Sequence, residues 1–180
     1  MNLELHAEQF ATRCHSEQVR KYTKQPYIVH PRAVVAIVRS VPHTEAMLAA
    51  AWLHDTVEDC GIAISKIHEL FDNDIATLVE MLTDVSKPEQ GNRKVRKAID
   101  LAHTAKANPD AKTIKLADLI DNAKDIVAND ENFARVYIKE KKALLTVLHE
   151  GNTILWNLAK LLSDKAEIKL NGNFKLWEIT

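Results

Sequence analysis

The sequence predicts an all-α fold, a single multi-helix bundle with residues 1–180 forming one domain. Three observations carry this. Glycine and proline are scarce, 4 and 5 of 180 residues, so few positions suit tight hairpins. Apolar residues recur at helical spacing in most of the segments between breaks. Alternating strand patterns are wanting, except for one possibility in the tail between Ile168 and Trp177.

The elements follow in order. Leu3 and Phe10 in a polar surround predict a first helix over about 2–16. Residues 19–28 hold Arg20, Lys21, Lys24 and Pro26 and read as a loop. Pro31 suits a helix start, because its missing N–H costs nothing there, and the second helix runs to about Arg39. After the break at Pro42, Thr44 can cap a third helix. Its eight consecutive apolar residues, 46–53, predict a buried central helix. The chain then reads HDTVEDCG, with Gly61 set to end that helix.

Two further helices are expected over 64–70 and 74–83, then a loop over 86–91. A helix over 92–107 stops at Asn108-Pro109-Asp110. The next carries Ile114, Ala117, Ile120, Ala123 and Val127 at helical spacing, up to a turn at Asn129 and Asp130. A long helix over 133–150, Gly151, and a last helix to about Asp164 complete the reading.

The bulk numbers exclude several classes. With 24 basic and 25 acidic residues the formal net charge is -1, which gives no global signature for nucleic acid or an anionic membrane. The longest apolar run is too short to span a bilayer, and the N-terminus lacks the apolar core of a signal peptide. Two cysteines, Cys14 and Cys60, make no disulfide framework. A cytoplasmic protein is expected; its oligomeric state is not readable.

The most informative place is His54-Asp55, at the end of the apolar helix. Burying a titratable pair without a partner is costly, and a divalent cation would compensate it. Glu58 lies four residues after His54 and Asp59 four after Asp55. If the helix continues another turn, all four lie on neighbouring faces. Two carboxylates beside a metal-binding pair suit hydrolysis: one handles a water, the other the leaving group's proton.

Other residues are ambiguous singly. His30, in PYIVHP, reads alone as a structural imidazole. Lys115, Asp118 and Asn122 share a helix face, and Lys115 by itself would satisfy Asp118 as a salt bridge. Arg20, Lys21 and Lys24 form a basic cluster that could clamp phosphate or simply be a solvated loop. Cys60 has no second thiol at ligand spacing, and His6, His15, His43, His68, His103 and His149 read as surface or structural.

Together these residues resemble the HD-domain superfamily, whose signature runs His … His-Asp … Asp: here His30, His54-Asp55 and Asp118. More narrowly the chain resembles the hydrolase domain of the RelA/SpoT alarmone enzymes and the stand-alone small alarmone hydrolases. The matching segments, VRKYTKQPYIVHP, AAWLHDTVEDCG, MLTDVSK and IKLADLIDN, stand in the family's order over 19–122. The resemblance implies an all-helical HD-domain fold and one bound Mn²⁺ held by His30, His54, Asp55 and Asp118. By ligand type alone, Fe²⁺ or Zn²⁺ would fit as well.

It further implies Glu58 and Asp59 as the catalytic carboxylates, and Arg20, Lys21 and Asn122 as substrate contacts. We count Lys115, on the same face, with them. The implied reaction removes the 3′-pyrophosphate from guanosine tetraphosphate or pentaphosphate. The chain departs from the pattern at three places. Leu119 stands where a basic residue is usual, Asp121 where His or Tyr is frequent, and Lys24 where glycine is common. Two alternatives follow: a phosphohydrolase for another phosphorylated nucleotide, such as NADPH or a nucleoside phosphate, and a non-catalytic nucleotide-binding module.

Overall fold

A computed structural model describes residues 2–172. The helices are α1 (Leu3–Cys14), α2 (Val29–Arg39), α3 (Glu45–Leu53), α4 (Thr56–Cys60) and α5 (Ile64–Leu70). Then come α6 (Asn73–Leu82), α7 (Arg93–Ala105), α8 (Pro109–Asn129), α9 (Glu131–Leu145) and α10 (Thr153–Leu170). A short 3₁₀ turn, Pro88–Gln90, precedes α7. Among the described residues the only β-type pairing is a single bridge between Val19 and Pro26.

The helix α3 is the hub. Met47 to Leu53 are all buried, and α1, α2, α6 and α8 pack around it. A helix apolar on every side can be stable only with neighbours on every side, and this bundle supplies them. The second long helix, α8, packs against α2, α3, α6, α9 and α10. The site lies where α2, the end of α3 and α8 meet.

Local chemistry sets most helix starts. The side chains of Thr44, Asn92 and Asn108 accept from Met47 N, Val95 N and Ala111 N, which answers exposed N–H groups of the first turn. Pro109 occupies the first position of α8. In α2, Pro31 is the third residue rather than the first, still within the turn that needs no N–H partner.

Three boundaries differ from expectation. The central helix does not run through HDTVEDCG. It stops at Leu53, turns at His54-Asp55 and resumes as α4, with Thr56 Oγ1 capping the Leu53 carbonyl at 2.7 Å. Gly61, at φ 66, does end α4 as expected. The helix α9 ends at Leu145 instead of 150, because the chain must turn at 146–152 to lie against α8. A Cβ at Gly151 would sit 3.0 Å from the Lys112 and Thr113 backbone. The helix α10 continues past Asp164 to Leu170, so 168–170 are helical and not strand; the rest of the tail expectation, to Trp177, lies outside the described residues.

Gly151→Ala is therefore expected to destabilise the fold by about 1–3 kcal/mol, the cost of overpacking against unyielding backbone. A chemical denaturation curve with unchanged slope and a lower midpoint would show it. An unchanged midpoint would mean the 146–152 turn can shift freely.

Candidate metal centre and active site

Helix α2 contributes His30, the α3–α4 turn contributes His54 and Asp55, and α8 contributes Asp118. Both imidazoles are buried. Their Nε2 atoms face each other at 3.3 Å. Asp55 Oδ2 lies 3.1 Å from His54 Nε2 and 3.5 Å from His30 Nε2. Asp118 Oδ1 lies 3.3 Å from His30 Nε2 and 4.0 Å from His54 Nε2.

The other ring nitrogens fix the tautomers. His54 Nδ1 is 2.8 Å from the Ala51 carbonyl, and His30 Nδ1 is 2.8 Å from Asp121 Oδ2. A carbonyl and a carboxylate can only accept, so each Nδ1 carries the proton. In the neutral rings both Nε2 lone pairs then point into one small space lined by two carboxylates. That arrangement asks for a positive charge. Burial alone would push both histidines down, yet hydrogen bonds that His30 donates to Asp118 and Asp121 raise it to about 9, and the Asp55 charge raises His54. Burial likewise opposes ionisation of Asp55 and Asp118. The charges of His54 on Asp55, and of Lys115 on Asp118, outweigh it and hold both well below the usual carboxylate range.

His30, His54 and Asp55 each offer a ligand atom within 4.8 Å of the others, close enough to share one first-row divalent ion with bonds of about 2.0–2.2 Å, and Asp118 Oδ1 stands beside them, 3.3 Å from His30 Nε2. A carboxylate behind one metal-facing histidine and a backbone carbonyl behind the other is the usual way such rings are oriented. The residues therefore fit a divalent metal.

Asp121 is the main residue that sequence reasoning missed. In the sequence it is only a departure from the family's usual His or Tyr, but it holds His30 and sits 3.9 Å from Arg20 Nη2. Its partner lies 91 positions away, so no local pattern could reveal it. Removing it by Asp121→Ala is expected to weaken metal affinity by about 10–100-fold, the usual cost of losing such a support. Titration with Mn²⁺ followed by calorimetry checks this; unchanged affinity would mean that His30 needs no orienting partner.

Tyr27 was also missed: its hydroxyl donates to Asp55 Oδ2 at 2.7 Å. Asp118 Oδ2 pairs with Lys115 Nζ at 3.3 Å, and its Oδ1, the oxygen that faces the histidines, also accepts from Asn122 Nδ2 at 2.6 Å, as the shared helix face predicts.

The acidic pair divides. Glu58 accepts from the Asp84 backbone N–H. Burial, and after it the Asp84 carboxylate, push Glu58 up to about 7. Asp59 instead accepts from Gln18 Nε2 at 3.0 Å, on the side of α1. Because the helix breaks at 54–55, the four residues do not form one continuous helical face, although Asp59 N still donates to the Asp55 carbonyl at 2.9 Å.

The basic residues also divide. Arg20 is buried, with Nη2 at 2.8 Å from Asp125 and both Nη atoms at 3.2 Å from Asn122 Oδ1. Lys21 is exposed and reaches Asp130 at 3.4 Å. Their loop turns through Lys24 at φ 59, a left-handed conformation that glycine adopts more easily.

A cavity of about 700 Å³ opens beside the cluster. Lys115, Asp118 and Asn122 line it together with Leu101, Leu119, Val136 and Tyr137. Its size suits a nucleotide-sized ligand. Arg20 and Lys21 are not among its lining residues.

Comparison with known proteins gives the same direction. The HD domain family matches residues 7–148. The guanosine-3′,5′-bis(diphosphate) 3′-pyrophosphohydrolase MESH1 of Drosophila melanogaster is 36% identical over 124 residues, covering 67% of this chain and 68% of that protein. A probable guanosine-3′,5′-bis(diphosphate) 3′-pyrophosphohydrolase of Synechocystis sp. is 47% identical over 78 residues, 43% of this chain; the match spans only 10% of that longer protein. Among solved structures, one described as a metazoan ortholog of SpoT that hydrolyzes ppGpp superposes with a TM-score of 0.81 at 29% identity, covering 92% of this chain and 96% of that one.

Proposed function

Because the chain belongs to the HD domain family, we propose that it is a metal-dependent phosphohydrolase that removes the 3′-pyrophosphate from guanosine tetraphosphate or pentaphosphate. The observation that carries the hydrolytic reading is the pair of Nε2 atoms facing each other at 3.3 Å between two carboxylates, a donor set that needs a cation. The guanosine substrate rests on the named activity of the Drosophila relative.

In this reading His30, His54, Asp55 and Asp118 hold one divalent ion, Mn²⁺ in preference to Fe²⁺ or Zn²⁺. Such an ion supplies Lewis-acid charge for phosphoryl oxygens and lowers the pKa of a water. Every other task falls to side chains. Glu58, with its proton affinity near neutrality, takes the proton of the attacking water. Asp59, fixed by Gln18, serves the leaving 3′ oxygen. Lys115 and Asn122 meet the substrate from the cavity wall. Arg20 and Lys21 meet it from the loop, Arg20 once its hydrogen bonds to Asn122 and Asp125 are exchanged for ligand.

A second reading, hydrolysis of another phosphorylated nucleotide such as NADPH, keeps one supporting observation: Leu119 lines the cavity with an apolar side chain. Asp121 no longer favours it, since that carboxylate serves His30. The test is a panel. Mn²⁺-loaded protein is incubated with guanosine tetraphosphate, NADPH and nucleoside phosphates, and free phosphate and diphosphate are measured. Diphosphate from guanosine tetraphosphate, absent with His54→Ala, is the expected result. Release from none of the panel would favour the non-catalytic module.

A further inference from the structure

Lys141 is a buried cation that the chemistry above does not use. It projects from α9, and its side chain is fully enclosed. Its Nζ donates one hydrogen bond, to the Leu119 carbonyl at 3.2 Å. Among the described residues no carboxylate comes within 4.0 Å of it. An ammonium has three donors, so two are unanswered. Lys112, the other fully enclosed lysine among the described residues, differs: it reaches the Glu150 carboxylate. An unpaired buried charge is costly to keep, and burial pulls Lys141 down to about 8, with Asp118 acting the other way.

Lys141 also lines the cavity that reaches Lys115, Asp118 and Asn122. The wall carries two more cations, Lys94 and Lys139, that have no ion-pair partner among the described residues. Arg93 and Lys97, by contrast, are taken by Glu140 and Asp84. The cavity therefore meets the candidate metal centre at Asp118 and has an excess of unneutralised positive charge in its α7 and α9 walls.

We propose that Lys141, assisted by Lys94 and Lys139, is a specificity-determining residue that selects ligands carrying a second phosphate group, one that is not hydrolysed, held in the cavity between α7, α8 and α9. This rests on the reading that the substrate is a nucleotide with phosphate at both ends. The ammonium need not touch the ligand. A cation in a low-dielectric wall lowers the energy of any anion in the adjoining space.

The test compares Mn²⁺-loaded wild type with Lys141→Met, which keeps length and removes charge. Guanosine 5′-diphosphate, which has no 3′ group to hydrolyse, is titrated by calorimetry, and Mn²⁺ affinity is measured in parallel. The expected result is about 10-fold weaker binding of guanosine 5′-diphosphate with Mn²⁺ affinity unchanged. In turnover, KM for guanosine tetraphosphate rises by a similar factor while kcat stays within about twofold, the pattern of lost uniform binding.

Equal guanosine 5′-diphosphate affinity in the two proteins overturns the proposal. So does a parallel loss of Mn²⁺ affinity, which would assign Lys141 to supporting the Leu119 turn, or a wild type that does not bind guanosine 5′-diphosphate at all. Should Lys141→Met fail to fold, the exposed double variant Lys94→Gln/Lys139→Gln carries the same comparison with a smaller shift in the same direction. If wild type releases no diphosphate from guanosine tetraphosphate yet Lys141→Met selectively loses guanosine 5′-diphosphate, the proposed reaction fails and the phosphate selectivity stands.

Discussion

Asp55→Asn is expected to abolish diphosphate release, with a fall of at least about 10³-fold, since the Lewis-acid contribution of such an ion is several kcal/mol. The substitution keeps the side chain's shape, so the effect is one of charge. Two carboxylates balance the two charges of a divalent ion; one leaves it half balanced in a buried site, where an uncompensated charge is expensive. Asp55 is the better target of the two because its oxygen stands within 3.5 Å of both imidazoles, whereas Asp118 Oδ1 is 4.0 Å from His54 Nε2. Asp55 Oδ2 also receives the Tyr27 hydroxyl. The amide oxygen of the substituted side chain could still accept from Tyr27, which argues for a folded variant. The measurement is diphosphate release alongside metal content of the purified protein. A variant that holds a full equivalent of Mn²⁺ and turns over normally would remove Asp55 from the ligand set.

The parts of this fold that were legible in the sequence are those governed by neighbours in the chain. The cap at Thr44, the helix start at Asn92 and the break at Asn108 are each decided within three residues, and the side chains of all three cap the helices that follow. The apolar run before His54 announces a buried helix because hydropathy alone determines it. The Lys115–Asp118–Asn122 face follows from helical geometry, and both contacts to Asp118 form. Relations between distant segments were not legible. The break at His54-Asp55 has no proline or glycine to signal it; it turns the two side chains toward α2 and α8, which local propensity cannot sense. Asp121, Tyr27 and Asp84 matter through His30, Asp55 and Glu58, partners that lie on other elements. The proposed ligand set, His30, His54, Asp55 and Asp118, was readable only in combination, since His30 and Asp118 each had a satisfactory bland explanation.

Glu58→Gln is expected to lower kcat by about 10²–10⁴-fold while leaving Mn²⁺ binding intact, the range for loss of a positioned proton acceptor. Glu58 is outside the ligand set, so activity and metal content should separate here, unlike in Asp55→Asn. The pH dependence gives a sharper check of its role. Glu58 is raised to about 7 by burial and then by the Asp84 carboxylate. A base must be deprotonated to act, so kcat/KM should fall as pH drops through the neutral range. Asp84→Asn removes the nearby negative charge but keeps the backbone N–H that Glu58 accepts from. The carboxylate form of Glu58 then becomes easier to reach, its pKa falls, and the acid limb moves to lower pH. If Glu58 donated a proton instead, the limb that moves down would be the alkaline one, and activity at pH above 7 would drop. An acid limb that stays in place in Asp84→Asn would assign it to some other group and leave Glu58 without the role of base.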